Sequence, residues 1–337
     1  MNSHRTMIKC TLLILFAGII GAAPAQLPRS ELFTFHSDAF INLHHFLYRW
    51  AQAGPGAEAT GLDPRIRLRD EDLQRYRAMS EADREEWDLA AAFYRIDMID
   101  RDLLFDDGMV ELRDCLVLAG NYCDRIEERD QQALDVLNRV MPVYRRVFWS
   151  NHNAENRRWM DDIIPRAQRF ESEIAPRLAA AYGGEWPESR NRVDITVYAN
   201  TVGAYTTADG HITVTSIDPA VQGWFGLEML FHESSHADSL ERPLTAMIDR
   251  AFDAIGVDTP PDLWHMAIFY TAGHITRQVL TAAGIDYPQT YAEATGIYDR
   301  REGNRRAKAA LDAGWNRALQ AGTGFGQAMN DVARAWR

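Results

Sequence analysis

Large apolar residues recur every three or four positions over most of this chain, the pattern of helices that each bury one face. Residues 71–96 carry that spacing with few breakers, and Ser80 followed by Glu81 and Asp83 predicts an N-cap with an acidic first turn. Residues 131–184 read as further long helices that Pro142 and Pro165 kink or divide, closed by Gly183-Gly184. The pattern then changes. VDITVYA (193–199) and HITVTSI (211–217) are β-branched and roughly alternating, and Asp209-Gly210 supplies a turn signal between them. Asp218-Pro219 predicts a helix start, and helical spacing continues through GLEMLFHESSHADSL (226–240). A further helix opens at Thr259-Pro260-Pro261-Asp262, and the tail is helical. The expected fold is mainly α with a small antiparallel β-sheet, in the α+β class. A helical N-terminal region spans 26–190, and a second region, which holds the strands, spans 191–337.

Within 226–240, His232 and His236 are four residues apart, so a helix places both imidazoles on one face, within reach of one ion. Zinc takes such nitrogen ligands in tetrahedral geometry, and a hydrolytic site keeps its fourth position for water. Glu233 sits about 100° round the helix from His232 and can serve as general base toward that water. Leu227, Leu230 and Phe231 give the apolar lead-in of a buried helix. The competing account is a helix that happens to carry two satisfied histidines.

Composition narrows the class. With 337 residues, 46% hydrophobic and 25% charged, the chain can build a real core. A net charge of −12 leaves nothing basic over for nucleic acid. The first nine residues hold Arg5 and Lys9 and no acid; CTLLILFAGIIGA follows, then Ala23-Pro24-Ala25, so 1–25 reads as a signal peptide cleaved near Ala25. The competing reading of that run is a membrane anchor, but it is short and broken by Gly18 and Gly21. The mature protein is expected to be secreted or periplasmic, with no stable membrane span. Cleavage leaves Cys115 and Cys123. On one unbroken helix their spacing is about 12 Å, too long to bridge; a turn at Gly120-Asn121 would allow a disulfide.

HESSH (232–236), with a strand-turn-strand ahead of it, resembles the zincin metallopeptidases, of gluzincin type, in a secreted bacterial branch. The resemblance covers residues 190 to 280 or so and implies a zincin-like core whose edge strand binds substrate backbone. It makes His232 and His236 zinc ligands and Glu233 the base. The ADSLERPLTA that follows His236 lacks the metzincin extension. Gluzincins take their third ligand, a glutamate, from a later helix. Here that helix offers His265 and His274, which lie on opposite faces, so at most one can join the site. His274 is favoured, because Gly273 beside it permits close helix approach and Tyr270 on its face could donate to an oxyanion. His265 remains the alternative. Glu241 and Asp249 are weaker candidates. Glu228, one turn before His232, is either a partner orienting that ring or a solvated carboxylate. His36, His44 and His45 offer a second metal site or, more readily, cleft-lining or core histidines that support the site.

The sequence thus predicts an exported zinc metallopeptidase that hydrolyses peptide bonds by a zinc-activated water, with a peptide or protein as substrate. The alternatives are a zinc hydrolase acting on another amide or ester, and an inactive helical binding or scaffold protein.

Overall fold

The computed structural model describes residues 30–55, 67–118, 123–124, 126–199, 203–207 and 210–337. The expected signal peptide and the Gly120-Asn121 turn lie outside them. Twelve helices are described: α1 Ala39–Ala53, α2 Asp70–Arg77, α3 Glu81–Asp97, α4 Asp107–Leu118, α5 Glu128–Tyr144, α6 Ser150–Tyr182, α7 Gly223–Ser234, α8 Asp238–Asp253, α9 Leu263–Ala282, α10 Tyr291–Ala294, α11 Glu302–Ala321 and α12 Phe325–Trp336. Four strands join them: β1 Phe33–His36, β2 Asn191–Thr196, β3 Ala204–Thr206 and β4 Ile212–Thr215.

Local chemistry accounts for the helix ends. Ser80 accepts from the Asp83 N–H and Asp38 from the Phe40 N–H, each satisfying a free donor at a first turn. Gly183 ends α6 in the left-handed region at φ 71°. The prolines act differently from expectation. Pro142 is followed by a π-helical turn, Arg145–Trp149, that leads from α5 into α6. Helix α6 then runs unbroken through Pro165 and Pro176 for 33 residues. Both prolines are exposed, as are Asp161 and Ser172, whose carbonyls lose their helical partner, so water can take over that bond.

The sheet is mixed, with order β1-β2-β4-β3. The expectation of an antiparallel sheet holds only for β3 against β4, with Tyr205 opposite Thr213. The two strands legible in the sequence, β2 and β4, run parallel, Asp194 pairing with Thr213. The loop between them carries the third strand, which folds back along the far edge of β4. β1 is parallel to β2 and was not expected; its four residues, FTFH, are too few to show a strand period.

Among the described residues, buried apolar side chains form two clusters. One gathers α1, α3, α5 and the aromatics Phe46, Trp50, Trp87, Tyr144 and Phe148. The other joins α6 from Trp159 onward with the sheet and α7 to α12. The expected division at residue 190 therefore falls inside the second cluster, since α6 and β1 pack with the C-terminal half. Among the described residues no helix is long and apolar enough to cross a membrane. Cys115 and Cys123 form a disulfide, with Cα atoms 4.6 Å apart, because α4 stops at Leu118 and Cys123 lies back beside its last turn.

Candidate metal centre

Helix α7 is buried from Gly226 to Ser234. Contrary to a helix carrying both histidines, it ends before His236. Ser234 and Ser235 donate their hydroxyls to the Leu230 and Phe231 carbonyls at 2.8 and 2.6 Å, bonds typical of serine near a helix end. Ser235 keeps right-handed helical angles and the His236 N–H bonds to the Glu233 carbonyl at 3.2 Å, so one tighter turn still brings His236 beside His232. The two ring centroids are 5.1 Å apart.

The third histidine is His265. Ligand-type nitrogens of His232, His236 and His265 all lie within 4.8 Å of one another, the one such trio among the described residues. Burial, together with His236 and His265, holds the His232 imidazole well below its ordinary pKa. Burial first and then His236 push His265 down to about 3. Both rings are therefore neutral at pH 7, the state a metal ligand needs.

His274 is elsewhere. Its Nδ1 donates to the Tyr270 carbonyl at 2.8 Å and its ring lies on that of Tyr270, centroids 3.9 Å apart. It borders a groove of about 450 Å³ with Arg277, Gln278, Asn316 and Gln320. Tyr270 faces the same way and donates to Asp312 at 2.7 Å, so it is not turned to the histidine trio. The reason is helical phase. Gly273 does mark the close approach to α7: a Cβ there would stand 2.7 Å from the Thr290 Cβ and 3.0 Å from Glu228 Oε1. But the residues sharing its face are Phe269 and His265, at i−4 and i−8, and His274 is about 100° round. Gly273→Ala is expected to cost about 1–3 kcal/mol through overpacking, read from denaturant unfolding.

Glu233 is 5% exposed and its Oε2 accepts from the Thr206 hydroxyl at 2.7 Å. Burial raises its pKa, opposed by His236 and by the Thr206 bond. Thr206 belongs to β3, the edge strand. That strand is pinned from the helical half: His45 on α1 contacts the Tyr205 hydroxyl at 2.8 Å, and Arg113 on α4 donates to Thr207. His45 Nδ1 donates to the Ile41 carbonyl at 2.9 Å, so Nε2 accepts from Tyr205. Burial lowers His45 to about 4, which keeps it neutral. His45 is thus a supporting histidine. His44 bonds the Tyr94 hydroxyl at 2.8 Å, and His36 ends β1.

Sequence reasoning did not find Thr206, nor two aromatic neighbours of the trio. Trp264 stacks on His265 with centroids 5.1 Å apart, and Phe269 lies on His232 at 3.8 Å. Phe269 was legible, since 265, 269 and 273 repeat at four. Thr206 carried no signal, because its contact crosses from strand to helix. Glu241 holds His236 Nδ1 at 2.9 Å, leaving Nε2 for a ligand. Glu241→Ala is expected to weaken metal binding roughly 10–100-fold, the usual effect of losing an orienting carboxylate, as measured by chelator competition. Asp249 lies on α8, outside the trio.

A scan against protein-family models, a search of curated proteins and a search of solved structures find no match for this chain.

Proposed function

We propose that the chain is an exported zinc-dependent hydrolase whose substrate is a peptide or protein, with a zincin-like catalytic core. The observation that carries this reading is the trio itself: three histidine side chains with ligand nitrogens within 4.8 Å, and a buried glutamate directly following one of them. The donor set fits the ion. Three imidazoles are an ordinary catalytic zinc set that leaves one position open. An imidazole, His265, in place of a glutamate would set the site apart from the gluzincin pattern while keeping the chemistry.

His232, His236 and His265 would hold the ion. Zinc, when bound there, supplies a Lewis acid that makes water nucleophilic near neutral pH. Glu233 accepts the proton of the attacking water and returns it to the leaving amine. Thr206 donates to one carboxylate oxygen of Glu233 and leaves the other free for that transfer. The zincin resemblance implies an edge strand that binds substrate backbone; β3, whose Thr206 holds the base, would be that strand. Trp264 and Phe269, partly exposed beside the trio, offer apolar contact to residues flanking the scissile bond.

The test is metal analysis of the purified mature protein, then a peptide-library screen with and without chelator. The expected result is one zinc per chain, lost in His232→Ala, with chelator-sensitive peptide cleavage. Substoichiometric zinc that His232→Ala leaves unchanged overturns the metal reading. Stoichiometric zinc with cleavage of other amides or esters and of no peptide moves the substrate class.

A further inference from the structure

Glu228 lies one turn before His232 on α7 and is 1% exposed. It is neither solvated nor turned to His232. Its carboxylate accepts from the Tyr287 hydroxyl at 2.6 Å and from the Tyr291 backbone N–H at 3.0 and 3.1 Å. Gly273 leaves the room it occupies between α7 and α9. Burial pushes its pKa up to about 7, against the bonds from Tyr287 and Tyr291. A leucine there would leave the Tyr287 hydroxyl and the Tyr291 N–H without their acceptor, so the carboxylate holds segment 287–291 against α7.

The segment it anchors leads back to the metal centre. The Tyr291 ring lies parallel to Phe269, centroids 6.2 Å apart and planes 9° from parallel. Phe269 in turn lies on His232, at 3.8 Å and 26°. Phe225 closes the other side, edge-on to Tyr287 at 5.5 Å and to Tyr291 at 6.3 Å. A ligating imidazole ordinarily has its plane set by a hydrogen bond from its second nitrogen. His236 donates that bond to Glu241. Among the described residues none is made by His232: its Nδ1 is buried without a hydrogen-bond partner. Its ring plane must be set by packing.

We propose that Glu228 is a positioning residue, which ties segment 287–291 to α7 so that Tyr291 backs Phe269 against the His232 ring and clamps it in its ligating orientation. The metal arm of this inference rests on His232 being a zinc ligand; the clamp itself does not.

The experiment uses the full mature chain labelled at histidine with ¹⁵N and ¹³C, compared as wild type, Glu228→Leu, Glu228→Gln and Tyr287→Phe. Imidazole NMR is recorded without metal, and zinc affinity is measured by chelator competition. Glu228→Leu is expected to move the His232 ring resonances while those of His265 and His236 stay, and to weaken zinc binding roughly 10–100-fold, as loss of an orienting contact does. Glu228→Gln, which can still accept from Tyr287, keeps both near wild type. Tyr287→Phe, a milder change, moves the His232 signals the same way and carries the test if Glu228→Leu does not fold. His232 resonances unmoved in the folded variants overturn the clamp. So does an equal disturbance of all three histidines that tracks the loss of thermal stability. If the wild type binds no zinc, the proposed function fails, and the metal-free spectra still decide the clamp.

Discussion

Replacing Glu233 by glutamine is expected to lower peptide hydrolysis by roughly 10²–10⁴-fold, the usual contribution of a positioned general base, with zinc stoichiometry retained. The substitution keeps side-chain length, and the amide oxygen can still accept from Thr206, so the contact between β3 and α7 survives. What disappears is a group able to take a proton. Measured by initial rates on a cleaved peptide, the fall belongs in kcat with KM little changed, because the glutamate acts in the transition state. A variant that retains zinc and also full activity would remove Glu233 from the mechanism. Thr206→Val provides the complementary contrast: the carboxylate remains but loses its donor, so activity falls less than in Glu233→Gln.

The second large effect separates two histidines of one helix. His265→Ala is expected to weaken zinc binding by well beyond the roughly 10–100-fold that loss of an outer partner costs, and to abolish hydrolysis with it. His274→Ala leaves zinc affinity as it is, because that ring lies on Tyr270 beside Asp312 and α11, on the far side of α9. Chelator competition on the two variants decides it. Full affinity in His265→Ala together with lost affinity in His274→Ala would reverse the assignment made from the geometry.

Those two histidines show how far sequence reasoning carries. A helical wheel states correctly that His265 and His274 point in opposite directions, but one helix does not say which of its faces meets α7. The glycine clue was sound in itself, since Gly273 does lie against Glu228 and Thr290. But a helix glycine does not share its face with its chain neighbour; the residues on that face are four and eight positions back. The sheet repeats the lesson. Period-two alternation marked β2 and β4, but their parallel pairing and the return of β3 depend on where the loop between them goes.

By itself the sequence determined what is local: the caps at Ser80 and Gly183, the mainly helical class, and the four-residue spacing that sets His236 beside His232. These follow from bonds and periods within a few residues. Only the tertiary structure decided what spans distant segments: His265 as the third member of the trio, the bond from Thr206 to Glu233, and the Tyr287 and Tyr291 anchors on Glu228. Each pairs residues at least 27 positions apart, and the relative rotation of two packed elements, which sets such contacts, is a property of the whole core.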